Sequence, residues 1–295
     1  MKDRSRPLFI AGFLAPAMLL YGVFVLVPVF QAVQYSLYSW SGLSGGAKFI
    51  GLRNFQDLVG DEIFRRSILH NLGLAVIGGF VAIGLSLIAA HAVQGTGAIR
   101  RGIRAAYLLP HITSIAAVSI LWVFIFNPNY GLFTGILNVF GLGSLVRPWL
   151  GDRHTALPAV GVTFIWYMLG FYVMLFAAGI KAIDGEVFEA AQLAGSEGWH
   201  RFWSITWPLL WSIKRVAIIN YLIGAMNTFA LVYLMTNGGP DRSSEVTMTY
   251  LYQQAFQNSQ MGYASSIAVV NLVLVLFLTL IVYRVIGRNP SEARR

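Results

Sequence analysis

Glu189-Ala190-Ala191-Gln192-Leu193-Ala194-Gly195, followed after nine residues by Ile205-Thr206-Trp207-Pro208, is a polar interruption between two long apolar segments. Glu189-Ala190-Ala191 opens a run of good helix formers, and Gly195 permits the chain to turn. The stretch predicts a short amphipathic helix with alanine faces for close packing, and Pro208 marks the restart before the next apolar run. Such a helix suits insertion into a groove on a soluble protein. What it does there depends on the chain around it.

That chain is apolar. Of its 295 residues, 57% are hydrophobic and 11% charged, against about 25% charged in soluble domains. Runs of about twenty apolar residues, long enough to cross about 30 Å of hydrocarbon as helices, occupy 8–31, 72–93, 105–126, 156–180, 216–235 and 266–286. The expected fold is all-α and integral to the membrane. It has six transmembrane helices in one domain over 1–295, with a polar loop at 184–208. Lys2, Arg4 and Arg6 precede the first run. Its length, its internal Pro16 and Pro28, and the absence of a small-x-small cleavage site favour a retained helix over a signal peptide.

The net charge of +9 is explained by topology. With the N-terminus inside, fourteen basic residues fall in cytoplasmic segments, among them Arg100, Arg101, Arg104, Lys181, Arg201, Lys214 and Arg215. Seven fall outside, from Lys48 to Arg242. This satisfies the positive-inside rule and places both termini and Glu189–Pro208 in the cytoplasm, so nucleic acid is not needed to account for the charge. The external loops, roughly 34–70, 127–155 and 236–263, carry turn clusters such as Asn237-Gly238-Gly239-Pro240. Trp199, Trp203, Trp207 and Trp211 recur every fourth residue. They read as an interfacial or packing stripe, or as an anchor between the cytoplasmic segment and the bundle.

Several chemistries are missing. No Asp, Glu or Lys lies inside an expected span, whereas proton relays and ion pathways are built from such groups. The four lysines precede Asp, Phe, Ala and Arg, so no Walker A motif exists to hold ATP. Gly42-Leu43-Ser44-Gly45-Gly46 matches Gly-x-Ser-x-Gly in letters, but it lacks the strand and helix of a nucleophile elbow. The five histidines show no ligand spacing and there is no cysteine, so neither a metal site nor a disulfide is expected.

With its position between two spans on the inner face, the opening stretch resembles the EAA loop of binding-protein-dependent ABC importer permeases. The likeness is to the carbohydrate branch, related to the maltose and glycerol-3-phosphate permeases. Leu14-Ala15-Pro16, Phe49-Ile50-Gly51-Leu52-Arg53-Asn54-Phe55 and Leu234-Met235-Thr236-Asn237-Gly238-Gly239-Pro240 resemble other stretches of that family. The chain departs from the pattern at Ala194, where Asp is frequent, at Trp207, where Leu is frequent, and at Asp184, where Pro is frequent.

The resemblance implies a type I importer permease in the bacterial inner membrane. Its partners are a second homologous permease, two ATP-binding subunits and an extracytoplasmic solute-binding protein, with lipid around the spans. ATP and its magnesium bind on the partners, and this chain holds no cofactor and is no enzyme. Glu189, Ala190, Ala191, Gly195, Ile205 and Pro208 form the ATPase-coupling segment. For the sugar pathway, Tyr221, Gly224, Ala225 and Thr228 follow helical spacing, with Asn220 and Asn227 beside them, and Tyr167, Met168 and Phe171 make an aromatic face on the fourth span. Sugars bind such surfaces by stacking and hydroxyl hydrogen bonds; the alternative is that these groups glue helices together. The two permeases of such a pair need not contribute equally. The competing classes are a self-contained ion-coupled transporter and a membrane scaffold. Spans free of Lys and Arg, apart from Arg284 at the end of the last, favour a neutral saccharide over a glycerol-3-phosphate-type substrate.

Overall fold

In the computed structural model, residues 5–43, 46–95 and 97–286 are described. The basic residues Lys2, Arg4, Arg288, Arg294 and Arg295, and the Ser44-Gly45 pair of the Gly-x-Ser-x-Gly stretch, lie outside them. In chain order the elements are α1 (Phe9–Tyr35), β1 (Tyr38–Ser39), β2 (Lys48–Phe49), α2 (Arg53–Gly60), α3 (Glu62–Ala92), α4 (Ala98–Ile112) and α5 (Ile115–Ile125). They continue with α6 (Leu132–Val139), α7 (Ala156–Lys181), α8 (Gly185–Leu193), α9 (Gly198–Leu209), α10 (Trp211–Met226), α11 (Ala230–Met235), α12 (Thr247–Tyr252) and α13 (Met261–Ile286).

Helices α1, α3, α7 and α13 are each long and apolar enough to cross a membrane. The spans expected at 105–126 and 216–235 are not unbroken helices. The first is a bent pair, α4 and α5, meeting at 101°; the second starts at Trp211, beyond a 71° bend from α9, and stops at Met226. The causes are local. Pro110 sits in the last turn of α4, Thr113 and Ser114 are extended, and the Thr113 hydroxyl donates to the Leu109 carbonyl at 2.7 Å. At the end of α10, Asn227 Nδ2 donates to the Ile223 carbonyl (2.8 Å) and Thr228 Oγ1 to the Gly224 carbonyl (3.0 Å). These side chains occupy carbonyls near the end of the helix, and regular helix resumes only at Ala230. Pro208 lies inside the last turn of α9 rather than at a restart, with the break at Leu210. The second span begins ten residues before the expected position, at Glu62, because the polar stretch to His70 continues the same helix.

Contacts gather the chain into two units. One comprises residues up to Asp61 with Leu251–Leu272. In it, β1 and β2 pair antiparallel with Tyr38 opposite Phe49. Asn54 of α2 donates to the carbonyls of Ser36 (2.8 Å) and Tyr38 (3.0 Å), and Tyr263 donates to Asp61 Oδ2 at 2.6 Å. The apolar side chains of α1, such as Phe13, Phe24 and Phe30, are exposed. In a membrane chain such a surface faces lipid or another subunit.

The other unit, Glu62–Tyr250 with the chain from Val273, holds the main core. Val160, Tyr172, Val173 and Phe176 of α7 pack there with Ala82, Phe202, Tyr221 and Leu231. Helices α4 and α7 approach so closely that a Cβ on Gly170 would lie 1.7 Å from the Tyr107 carbonyl oxygen. Asn71, completely buried, links three segments. Its Nδ2 donates to the Ala225 carbonyl at the end of α10 (2.7 Å), and its Oδ1 accepts from the amide and the hydroxyl of Thr247 (both 2.9 Å).

Candidate functional site

The opening stretch folds as α8, closed at both ends by its own residues. At the N-terminus Asp184 caps the helix, its Oδ1 accepting from the Glu186 amide at 3.2 Å. The departure from proline at this position therefore brings a helix cap. At the C-terminus Gly195 is left-handed at φ +74°. Its amide donates to the Gln192 carbonyl (3.0 Å), and the Ser196 amide donates to the Ala191 carbonyl (2.9 Å). This is the paired hydrogen-bond pattern of a Schellman stop, which needs a residue tolerant of positive φ at the position of Gly195.

Only one side of α8 is held by the chain. Ala191 is buried and Phe188 packs against the core, with the Arg201 guanidinium 5.6 Å from its ring centre. Glu189, Ala190 and Val187 are exposed, and Leu193 is 91% exposed. Val187, Ala190, Leu193 and Ala194 recur at i, i+3, i+6 and i+7, so the outward side is an apolar stripe edged by Glu189. Among the described residues Glu189 forms no ion pair.

The segment after α8 is fastened to the bundle through aromatics. Trp199 and Phe202 of α9 pack against His91 at the end of α3, with ring centres 5.7 and 5.0 Å away. Trp203 and Trp207 meet at a tilt of 53°, with ring centres 5.4 Å apart. Lys214 lies 3.8 Å over the Trp207 ring and donates to its carbonyl at 2.7 Å, so the first turn of α10 caps the last of α9. Trp211 stands beyond the bend and meets Arg215. Ile205 and Pro208 are half-buried in α9. The tryptophans thus belong to two helices rather than one stripe.

The structure divides the proposed pathway residues. Tyr221 is 1% exposed, set between Phe164 (5.2 Å) and Tyr172 (6.0 Å) and against the backbone of Gly78 and Gly79. Ala225 and Thr228 are likewise buried. Asn220 and Asn227 are exposed, and Gly224 is half-buried beside Met168. Tyr172 donates to Asn220 Oδ1 at 2.9 Å, which joins the fourth and fifth spans. Tyr167 and Phe171 flank His111, at 5.2 and 5.1 Å between ring centres. No motif singles out His111; Pro110 was the available signal, since it breaks α4 where this ring meets α7. His111, Tyr167 and Phe171 therefore form a half-buried aromatic cluster near the middle of α7, and Asn220 is tied to the same helix through Tyr172. Among the described residues no cluster of metal-ligating side chains occurs.

The fold is that of an ABC importer membrane subunit. It matches a chain of a bacterial ABC transporter involved in the import of the acidic polysaccharide alginate, with a TM-score of 0.83 over 98% of both chains at 22% identity. Residues 82–290 match the family of binding-protein-dependent transport system inner membrane components, and the chain belongs to that family. It is 38% identical over 95% of its length to the probable ABC transporter permease protein YurN of Bacillus subtilis, covering 96% of that protein. It is 32% identical over 99% of its length to the diacetylchitobiose uptake system permease protein NgcF of Streptomyces coelicolor, covering 86% of it.

Proposed function

We propose that this chain is one of two permease subunits of an ATP-driven importer that receives a neutral saccharide from an extracytoplasmic binding protein. ATP is hydrolysed on two partner subunits, and both termini of this chain lie in the cytoplasm. The observation that carries the reading is α8, a helix capped at both ends whose apolar stripe faces away from its own chain. The similarity to a diacetylchitobiose permease supports a saccharide. So do Asn220 and the aromatic rings on α7 and α10, since 156–180 and 216–226 contain no Asp, Glu, Lys or Arg to hold an ion.

The coupling works through contacts already described. A push on α8 reaches α9 through the turn at Gly195. From α9 it passes to α3 at His91 and to α10 at Lys214. Helix α10 carries Asn220, so the saccharide surface moves with the coupling helix.

The test is co-purification and uptake with the full importer. Tagged wild-type chain is expected to bring down an ATPase and a second permease, and Glu189→Lys to reduce that association while leaving membrane insertion intact. Gly195→Val places a β-branched residue at positive φ, which costs about 1–2 kcal/mol. If that strain falls on the docked geometry, uptake drops by roughly tenfold. Recovery of neither partner, or unchanged uptake and association in both variants, would overturn the reading.

A further inference from the structure

A cavity of about 530 Å³ opens between α5, α6 and the start of α7, lined by Trp122, Phe126, Phe133, Trp149, Ala159 and Trp166 among others. Its size is ordinary for a ligand site, which spans roughly 300–1,000 Å³. Its walls are almost wholly apolar. Leu132, Ile136 and Val162, which also line the cavity, are exposed, so the opening is continuous with the apolar surface that bilayer would cover. Beside Trp149 stands an exposed cation: the Arg147 guanidinium lies 5.8 Å from the centre of the indole ring. Among the described residues Arg147 pairs with no carboxylate.

An apolar slot beside an exposed guanidinium is complementary to one kind of molecule. We propose that the cavity is a phospholipid site. One acyl chain fills it, and the phosphodiester meets Arg147. The loop at 127–155 carries Arg147 and Trp149, so on the positive-inside topology the lipid comes from the extracytoplasmic leaflet, at the level where tryptophans gather. A hydrocarbon ligand alone would leave the guanidinium unused, and a soluble anion would leave the slot unused.

Native mass spectrometry of the full-length chain in its purified importer tests this, with dioleoyl phosphatidylglycerol, dioleoyl phosphatidylcholine and monoolein added in turn. Wild type is expected to retain one phospholipid of either headgroup and less monoolein, which lacks phosphate. Ala159→Leu fills the slot and removes the bound lipid. Arg147→Gln, on the surface and neutral to folding, weakens it by about threefold. Equal retention of lipid by wild type and Ala159→Leu overturns the site. Equal retention of monoolein and phospholipid overturns the phosphate contact. Efficient cross-linking of a photoreactive residue at position 136 to the second permease, with no lipid retained, assigns the cavity to the subunit interface and overturns the proposal. None of these readouts depends on uptake or on ATPase binding, so the outcome is separate from that of the coupling experiment.

Discussion

Gly170→Val will unseat α4 from α7 and lower the thermal stability of the purified chain more than a surface change does. The added Cβ would lie 1.7 Å from the Tyr107 carbonyl oxygen and 2.5 Å from its carbon, so the obstruction is backbone and cannot rotate away. Overpacking costs about 1–3 kcal/mol where side chains can yield. Here the whole helix must shift, and the expected loss is at or above the top of that range. At about 2–4 °C per kcal/mol for a chain of this size, the melting temperature falls by roughly 10 °C. The shift also displaces His111, four residues beyond Tyr107, from the rings of Tyr167 and Phe171, so uptake fails in any protein that survives purification. Gly84→Ala in α3 is the control. A Cβ there meets nothing within 4 Å, and in a helix the exchange stabilises by up to about 1 kcal/mol. If Gly170→Val melts with wild type while Gly84→Ala behaves as stated, the close approach of α4 and α7 does not hold the fold.

Asn71→Leu, a change of nearly equal volume, removes all three hydrogen bonds that this side chain makes. The Thr247 amide then loses a buried acceptor, and the Ala225 carbonyl keeps only longer bonds from amides beyond the helix end, such as Thr228 at 3.4 Å. Each buried partner lost costs about 1–3 kcal/mol, so the combined loss is roughly 2–4 kcal/mol. Asn71→Asp separates the two halves of the node. It keeps an acceptor for Thr247 but turns an acceptor toward the Ala225 carbonyl, and it buries a charge. It is therefore also destabilising, whereas Asn71→Gln retains both functions on a longer arm and is milder if the pocket yields. A thermal unfolding series over the three variants checks the order. Equal melting temperatures for wild type and Asn71→Leu would show that the node is not structural. Because Ala225 ends the helix that carries Asn220, the stable survivors should also show weakened saccharide uptake.

How much of this was legible beforehand depends on the range of the forces involved. Helix α8 could be read from its letters because its caps are its own neighbours: Asp184, the alanine run and Gly195 act within a turn of one another. The fourth span, read as 156–180, is Ala156–Lys181 in the structure for a similar reason, since a long apolar run outweighs local preference. The breaks in the third and fifth spans were less legible. Pro110, Asn227 and Thr228 stood in plain view, but whether a side chain takes a backbone carbonyl or leaves it to the helix depends on what packs beside it.

The orientation of α7 and α10 was harder still. Helix α10 is apolar on nearly every side, so periodicity does not say which face turns inward. Spacing grouped Tyr221 with Gly224, Ala225 and Thr228. Packing put the Tyr221 ring against Gly78, Gly79 and Phe164, and left Asn220 on the accessible side. His111 had no motif to mark it.

The sequence by itself determined the membrane class and the sidedness expected from its charges. It also located helix α8, because charge and capping are properties of contiguous residues. Only the tertiary structure decided which faces of α7 and α10 are open, that Asn71 pins the end of α10, and that Trp122 and Trp149 line one apolar slot. Those depend on groups separated by tens to more than a hundred residues, as with Asn71 and Thr247. No local pattern encodes such pairs; they exist only once the helices have packed.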